Sequence, residues 1–415
     1  MSSPPFTQRF PALESRDFRF LLFGQLISLT GSHMQQVAVA WQLYEFTHSA
    51  SALGLLGAFR VAPIVLFALL GGVVADALDR RRLMLFSQSA LAGVSLVLAI
   101  ATRQGWASAG LLYAMASVSG AALTIDTPTR QALVPLLVPR ERLAGALSLW
   151  ATTVQIATIA GPSIGGLVLE HAGVAPVYFV DAGSFLAVIG ALLAMKTRTP
   201  ARPGATVGLA AAREGLAFLR RTPIIRSTML LDFFATFFGG SMLLMPIYAD
   251  QILGVGKQGL GLLYAAQPVG AALAGAVMAA VALPKRQGVV ILWSVAFYGV
   301  AIAVFGASEW FWLSLLALAA SGAADTVSMV IRQTVRQLVT PDELRGRMTS
   351  VNMMFFMGGP QLGEVEAGYV ARLTTPLFSV ISGGFACVAV AGLAALLSPA
   401  LRRFEPEARP TTSPR

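Results

Sequence analysis

The chain is 415 residues long, 56% hydrophobic and only 12% charged, with a formal net charge of +10. A soluble globule carries about a quarter of its residues as charges, so this composition excludes one, and the chain must be solvated by lipid. Its single cysteine, Cys387, excludes an intrachain disulfide and leaves the redox compartment open.

Apolar runs of about 18–25 residues, each long enough to cross a bilayer as a helix, recur about twelve times. The expected spans are 18–44, 52–75, 83–101, 108–128, 146–169, 176–196, 227–250, 258–282, 288–307, 310–329, 349–371 and 376–398. The first run is too long for a signal peptide and lacks a small-residue cleavage site, so it is expected to stay as a helix. Basic residues precede the first span (Arg9, Arg16, Arg19) and follow the second (Arg80, Arg81, Arg82) and the fourth (Arg130, Arg140, Arg142). They recur in the central loop, after the eighth and tenth spans and in the tail, while the opposite side receives only Arg103, Lys257 and Arg372. The positive-inside rule puts both termini in the cytoplasm. The positive charge therefore reads as topology and calls for no nucleic-acid partner.

Residues 1–17 form a polar cytoplasmic lead-in. Span one carries Gln25, Ser28, Ser32 and Gln35 or Gln36 at three- and four-residue steps, which puts them on one helical face. Such a face lines water or substrate, or bonds to neighbouring helices. His33 beside it reads as a packing histidine. In span two Arg60 is the lone intramembrane cation, suited to an anionic substrate or to an acid on span eleven. Span four repeats the polar habit with Tyr113, Ser117 and Thr124, span five with Ser148, Thr152 and Gln155, and span ten with Ser314, Ser321, Asp325 and Ser328. Polar stripes on several helices imply a shared interior cavity. Residues 198–225 form the one long polar connection, where Ala211 to Arg221 suits a basic surface helix.

Asp232 in span seven, with Thr236 one turn on, is a candidate proton or cation site, or a helix cap. Glu364 and Glu366 in span eleven would cost several kcal/mol at membrane depth unless protonated or paired, which makes them the strongest proton-coupling candidates. Two residues apart, they point about 200° from one another on a helix, so at most one faces a cavity squarely. Met353, Met354 and Met357 beside Phe355 and Phe356 read as packing, with a promiscuous pocket as the other use of such adaptable side chains. Gly254-Val-Gly256-Lys257-Gln-Gly259 fits G-x-G-x-x-G, yet no strand precedes it, so it is no nucleotide site. No phosphate-binding loop, metal-ligand cluster or nucleophile elbow occurs in the sequence, so neither an enzyme nor a bound cofactor or metal is expected.

The two halves repeat one another. Thr129-Arg130-Gln131 and Val138-Pro139-Arg140-Glu141 return as Ile331-Arg332-Gln333 and Thr340-Pro341-Asp342-Glu343, an offset of 202 (332 − 130). A six-helix bundle over 18–197 and another over 226–400 are expected, joined by the 198–225 linker and followed by a cytoplasmic tail at 401–415.

Three motifs carry a family resemblance. Gly72-x-x-x-Asp76-x-x-x-Arg80-Arg81 resembles the loop between the second and third helices of the major facilitator superfamily, G-x-x-x-D-R/K-x-G-R/K-R/K, with Ala77 in place of the first basic residue and Asp79 in place of the glycine. Gly161-Pro162-Ser163-Ile164-Gly165-Gly166 resembles that superfamily's antiporter motif, and Asp126-x-Pro128-x-Arg130-Gln131-Ala132 is similar to a segment of its siderophore and macrolide exporters. The resemblance implies an all-α membrane protein with twelve transmembrane helices in two pseudo-symmetric bundles, Gly72, Asp76, Arg80 and Arg81 as a cytoplasmic gate, and Asp126 as a cap or ion-pair partner. It implies a monomeric secondary transporter of the bacterial cytoplasmic membrane that exports a small molecule, a siderophore or drug-like compound, in exchange for protons. Uptake or lipid movement by the same fold is the alternative, and a non-transporting receptor or scaffold the more distant one.

Overall fold

The computed structural model describes residues 11–77, 79–197, 217–281, 284–341 and 344–405, with the side chains of 65, 67–77, 345–347, 349–351, 353, 354, 356 and 357 excepted. These residues form long helices: α1 Arg16–Thr47, α2 Ala50–Ala77, α3 Arg80–Gln104, α4 Ala109–Leu133, α5 Leu143–Ala172 and α6 Val174–Ala194. The second half supplies α7 Pro223–Phe238, α8 Gly256–Ala280, α9 Gln287–Ala307, α10 Phe311–Val339, α11 Arg345–Leu373 and α12 Pro376–Leu397. Among the described residues, 9 helices are long and apolar enough to cross a membrane. Helix α1 falls outside that group because its polar stripe lowers its hydropathy, not because it is short.

Helix ends follow local chemistry. Ser15 caps α1 by accepting from the Phe18 amide, and Ser108 caps α4 through the Leu111 amide. Asp79, which stands where the related loop has glycine, caps α3 by accepting from the Arg82 amide at 3.0 Å. The expected seventh span is broken: α7 stops at Gly239, and residues 242–252 continue as a 3-10 turn, one helical turn and a π turn. Gly254 and Gly256 then adopt φ of +61° and +63° before α8 starts, a conformation that L side chains resist. Prolines sit inside the repeat-related pairs α2 and α8 (Pro63, Pro268) and α5 and α11 (Pro162, Pro360).

The chain divides into two compact units. One holds Met1–Gly208, Ser241–Pro268 and Gly368–Pro376; the other holds Leu209–Gly240, Val269–Ala367 and Leu377–Arg415. The segments at 241–268 and 368–376, which the sequence repeat assigns to the second bundle, thus pack with the first. In the first unit a core forms around Phe18, Leu21, Met84, Leu133, Phe185 and Val188. The second unit has its counterpart around Ile225, Met229, Ile291, Val295, Ile331 and Val335. Large apolar side chains such as Phe86, Leu186, Trp293, Leu316 and Leu396 are exposed, as lipid-facing positions are in a chain of this composition.

Asp17 ties the start of α1 to the segment after α6. Its Oδ2 accepts from Thr197 Oγ1 at 2.6 Å and from the amides of Thr197 at 2.8 Å and Lys196 at 3.0 Å. Burial works against the charge, but these hydrogen bonds prevail and hold the carboxyl below its usual range. A lowered folded-state value contributes stability above the ordinary carboxylate range and loses it as pH falls through the folded value. Asp17→Asn is expected to cost about 1.5–3 kcal/mol at neutral pH, the range for hydrogen bonds to a charged group. In thermal melts across pH the gap to wild type should close on acidification. A gap that stays constant down to strongly acidic pH would show that the charge is irrelevant.

Candidate functional site

The polar face of α1 turns toward its own unit. Gln25 is 0% exposed and Ser28 only 2%, and the face is met by a heptad stripe on α3, Gln88, Ser95 and Thr102. Ser28 Oγ reaches Gln88 Oε1 at 3.5 Å, Gln35 Nε2 donates to Ser95 Oγ at 2.8 Å, and Gln42 Nε2 donates to Thr102 Oγ1 at 3.0 Å. Each rung joins residues 60 apart in the chain, so α1 and α3 run parallel in constant register. Ser32 Oγ lies 3.5 Å from Asp181 of α6. Four of the stripe residues are therefore engaged with neighbouring helices, while Gln36 is exposed. His33 meets Thr158 Oγ1 at 3.3 Å.

On α4, Tyr113 donates to the Ala52 carbonyl at 3.0 Å and stacks on Phe59 with centroids 4.9 Å apart. Ser117 donates to the Phe59 carbonyl at 2.9 Å. Arg60 follows on α2, half-buried, and its own carbonyl packs against Gly120. These contacts seal α2 to α4 through backbone oxygens.

Two arginines related by the repeat each join helices within their own unit. Arg130 of α4 donates to Gln25 of α1 at 3.0 Å and pairs with Asp126 at 3.1 Å. Asp126 Oδ1 also accepts from Ser87 at 2.9 Å and Gln88 at 2.7 Å. In the second unit Arg332 of α10 pairs with Asp232 of α7 at 2.6 Å and lies 3.7 Å from Asp325. Asp232 occupies the position of Gln25, because both lie nine residues into helices that begin at Arg16 and Pro223. Asp232 is thus inside its helix and ion-paired, not at a cap. Asp325 is 41% exposed beside its nearly buried arginine, which makes it the more accessible acid of the pair.

Glu364 and Glu366 are both half-buried on α11. Glu364 takes part in a tight approach just past the end of α7, in which Gly240 faces the backbone of Gly363 and Glu364. No ion pair to Glu366 occurs among the described residues. The side chains of Gly72 and Asp76, and those of Met353, Met354, Phe356 and Met357, lie outside the described ones. Of the residues expected to form the gate, Arg80 is half-buried, and Arg81 donates to the Leu193 carbonyl at 2.9 Å near the end of α6, a favoured place for a cation.

The antiporter-type motif marks a crossing of three helices. A Cβ at Gly161 would lie 2.5 Å from His33 Cβ, and one at Gly165 would lie 2.9 Å from Met34 Cα, both on α1. One at Gly166 would lie 2.8 Å from the Lys257 carbonyl and 2.9 Å from Gly261 Cα on α8. Gly161 and Gly165, one turn apart, admit α1, while Gly166 admits α8. Beyond them, Gln155 Nε2 donates to the Pro268 carbonyl at 2.7 Å, which ties α5 to α8 one step past the glycine contacts.

Sequence reading passed over two groups. One joins the end of α1 to the turn before α8: Tyr44 donates to Asp250 at 2.6 Å, and Lys257 pairs with Glu45 at 3.0 Å over the Trp41 ring. The other is the Asp181 site, signalled in the sequence by a lone acid in the apolar run of span six and by the heptad of polar residues in span three. Among the described residues no group of His, Cys, Asp and Glu is arranged to hold a metal.

Paired repeats of membrane-spanning helices, braced by equivalent arginines and crossed at glycine contacts, define a multi-pass transporter of the major facilitator type. The chain belongs to the transmembrane secretion effector family, MFS_3, whose model matches residues 7–413. It is 28% identical over 388 residues to the enterobactin exporter of Escherichia coli O81 (strain ED1a), with 93% of each chain covered. The enterobactin exporter of Shigella boydii serotype 18 (strain CDC 3083-94 / BS512) matches to the same extent. Among solved structures, a bacterial homolog of the human lysosomal transporter Spinster, inward-facing and occupied, superposes with a TM-score of 0.73 at 15% identity, covering 98% of this chain and all of that one. A bacterial homologue of the iron transporter ferroportin, inward-facing, gives 0.69 at 15% identity, with 94% and 99% covered. These similarities make the protein a transporter embedded in a membrane, acting on a small molecule.

Proposed function

We propose that this transporter exports a siderophore or drug-like small molecule across the bacterial inner membrane in exchange for protons, as a monomer whose two repeat halves alternate access. The observation that carries export is the Gly161-Pro162-x-x-Gly165-Gly166 segment at a three-helix crossing, together with similarity to enterobactin exporters along 93% of the chain. The distribution of arginine and lysine supports cytoplasmic termini. Proton coupling draws on the second unit: Asp325 is half-buried beside Arg332, and Glu366 is half-buried with no ion pair among the described residues. Half-buried Arg60 and exposed Gln36 are the substrate candidates in the first unit.

Inside-out vesicles holding a pH-sensitive dye test the proposal, with enterobactin, a macrolide and a lipophilic cation added singly. Proton release from the lumen on addition of one compound is the expected result, and Glu364→Gln with Glu366→Gln should abolish it while the protein remains in the membrane. Undiminished coupling in the double variant would remove both glutamates from the proton route. Accumulation in the opposite direction would replace export with uptake.

A further inference from the structure

Asp181 lies near the middle of α6 and is 0% exposed, yet no ion pair reaches it among the described residues. Its neighbours are built around the carboxyl group. Ser95 Oγ from α3 is 2.6 Å from Oδ2, and Ser32 of α1 and Ser184 of α6 are each 3.5 Å from Oδ1. Gly31 of α1 leaves the room: a Cβ there would stand 2.8 Å from Oδ1.

Counting protons decides the chemical form. Ser95 has one hydroxyl proton, and it faces both the Leu91 carbonyl at 3.1 Å and Asp181 Oδ2, while it already accepts from Gln35 Nε2. Ser184 has one proton too, and its short contact, 2.7 Å, is to the Asp181 backbone carbonyl rather than to the carboxyl. A carboxylate here would be a dry charge with one good donor, which is costly. A carboxylic acid donating from Oδ2 to Ser95 Oγ frees the Ser95 proton for Leu91 and leaves no uncompensated charge. The ionisable side chains on the surrounding helices are occupied elsewhere: His33 of α1 with Thr158, Tyr178 of α6 with Gln42, Glu45 with Lys257, and Asp126 of α4 with Arg130.

We propose that Asp181, enclosed by Gly31, Ser32, Ser95 and Ser184, is a proton-binding site of the first helical unit, loaded in the packed arrangement seen here. A shift of α1 that withdraws Ser32 and Gln35 admits water, breaks the Oδ2–H bond and passes the proton to that water. A ligand that favours one packing of α1 then changes proton affinity, and protons change ligand affinity to the same degree. This deepens the antiport reading and rests on it for its role, although proton occupancy itself is independent of any substrate.

Infrared spectra of the full-length protein in proteoliposomes, recorded over a pH series, test the occupancy. Wild type is expected to show a protonated-carboxyl band that Asp181→Asn lacks; superimposable spectra at every pH overturn the site. If Asp181→Asn does not fold, protein labelled with 13C at the aspartate carboxyl replaces it. The labelled acid band must then move in Ser95→Ala, and an absent or unmoved band overturns the proposal. For the role, Asp181→Asn should lose enterobactin accumulation driven by a pH gradient while keeping downhill enterobactin flux. Unchanged gradient-driven accumulation in the variant removes Asp181 from coupling. If wild-type flux moves no protons, the antiport reading fails, and the infrared result alone then decides whether Asp181 binds a proton.

Discussion

Arg332→Ala is expected to destabilise the second helical unit by about 3–5 kcal/mol, the cost of breaking a buried ion pair from one side. Arg332 is buried, with Asp232 at 2.6 Å and Asp325 at 3.7 Å; without it two acids face each other at the junction of α7 and α10. Asp232→Asn added to Arg332→Ala should restore part of the loss, because it removes one uncompensated charge, and the cycle measures the pair directly. The readout is already in the chain. Cys387, the single cysteine, is buried and its thiol donates to the Ala235 carbonyl of α7, so a thiol-reactive fluorophore reports when this unit opens on heating. An Arg332→Ala melting curve that overlies wild type would mean the pair is a solvated contact with no share in stability.

Gly166→Val is expected to abolish transport even where the protein still reaches the membrane. The new Cβ alone would sit 2.8 Å from one backbone atom and 2.9 Å from another on α8, and neither can step aside as a flexible side-chain end would. Overpacking of this kind costs about 1–3 kcal/mol, and it forces α5 and α8 apart at their crossing. Gly190 is the matched control, since nothing lies within 4 Å of the position its Cβ would take. Gly190→Ala should transport normally and gain about 0.5–1 kcal/mol from the better helix former. Wild-type flux in Gly166→Val would show that the close approach is incidental.

The helices were legible because hydropathy is a property of a contiguous window. The spans read from the sequence fall within or close to the helices found, and the main departure, the break after Phe238, had its cause written as Gly239, Gly240 and Pro246. The equivalence of Arg130 and Arg332 was likewise visible as a repeat. What each arginine holds was not, because Gln25 and Asp232 share a position but not a chemistry. The polar stripe of α1 shows the limit most clearly. Its spacing located Gln25, Ser28, Ser32 and Gln35 on one face, which is intrahelical geometry; whether that face met a cavity or another helix depended on α3, a heptad stripe 60 residues on.

From the sequence alone followed a lipid-solvated, duplicated helical chain, since composition, span length and repeat spacing each act through local rules of burial and backbone satisfaction; the transporter reading came from the motifs that resemble the major facilitator superfamily. Only the tertiary structure decided which carboxyl groups are paired and which are enclosed without a cation. Asp232 and Asp181 look alike in sequence, each a single acid in an apolar run. One faces a guanidinium at 2.6 Å and the other faces serine hydroxyls. The cost of burying a charge is set by what surrounds it in space, and for both residues those surroundings come from distant parts of the chain.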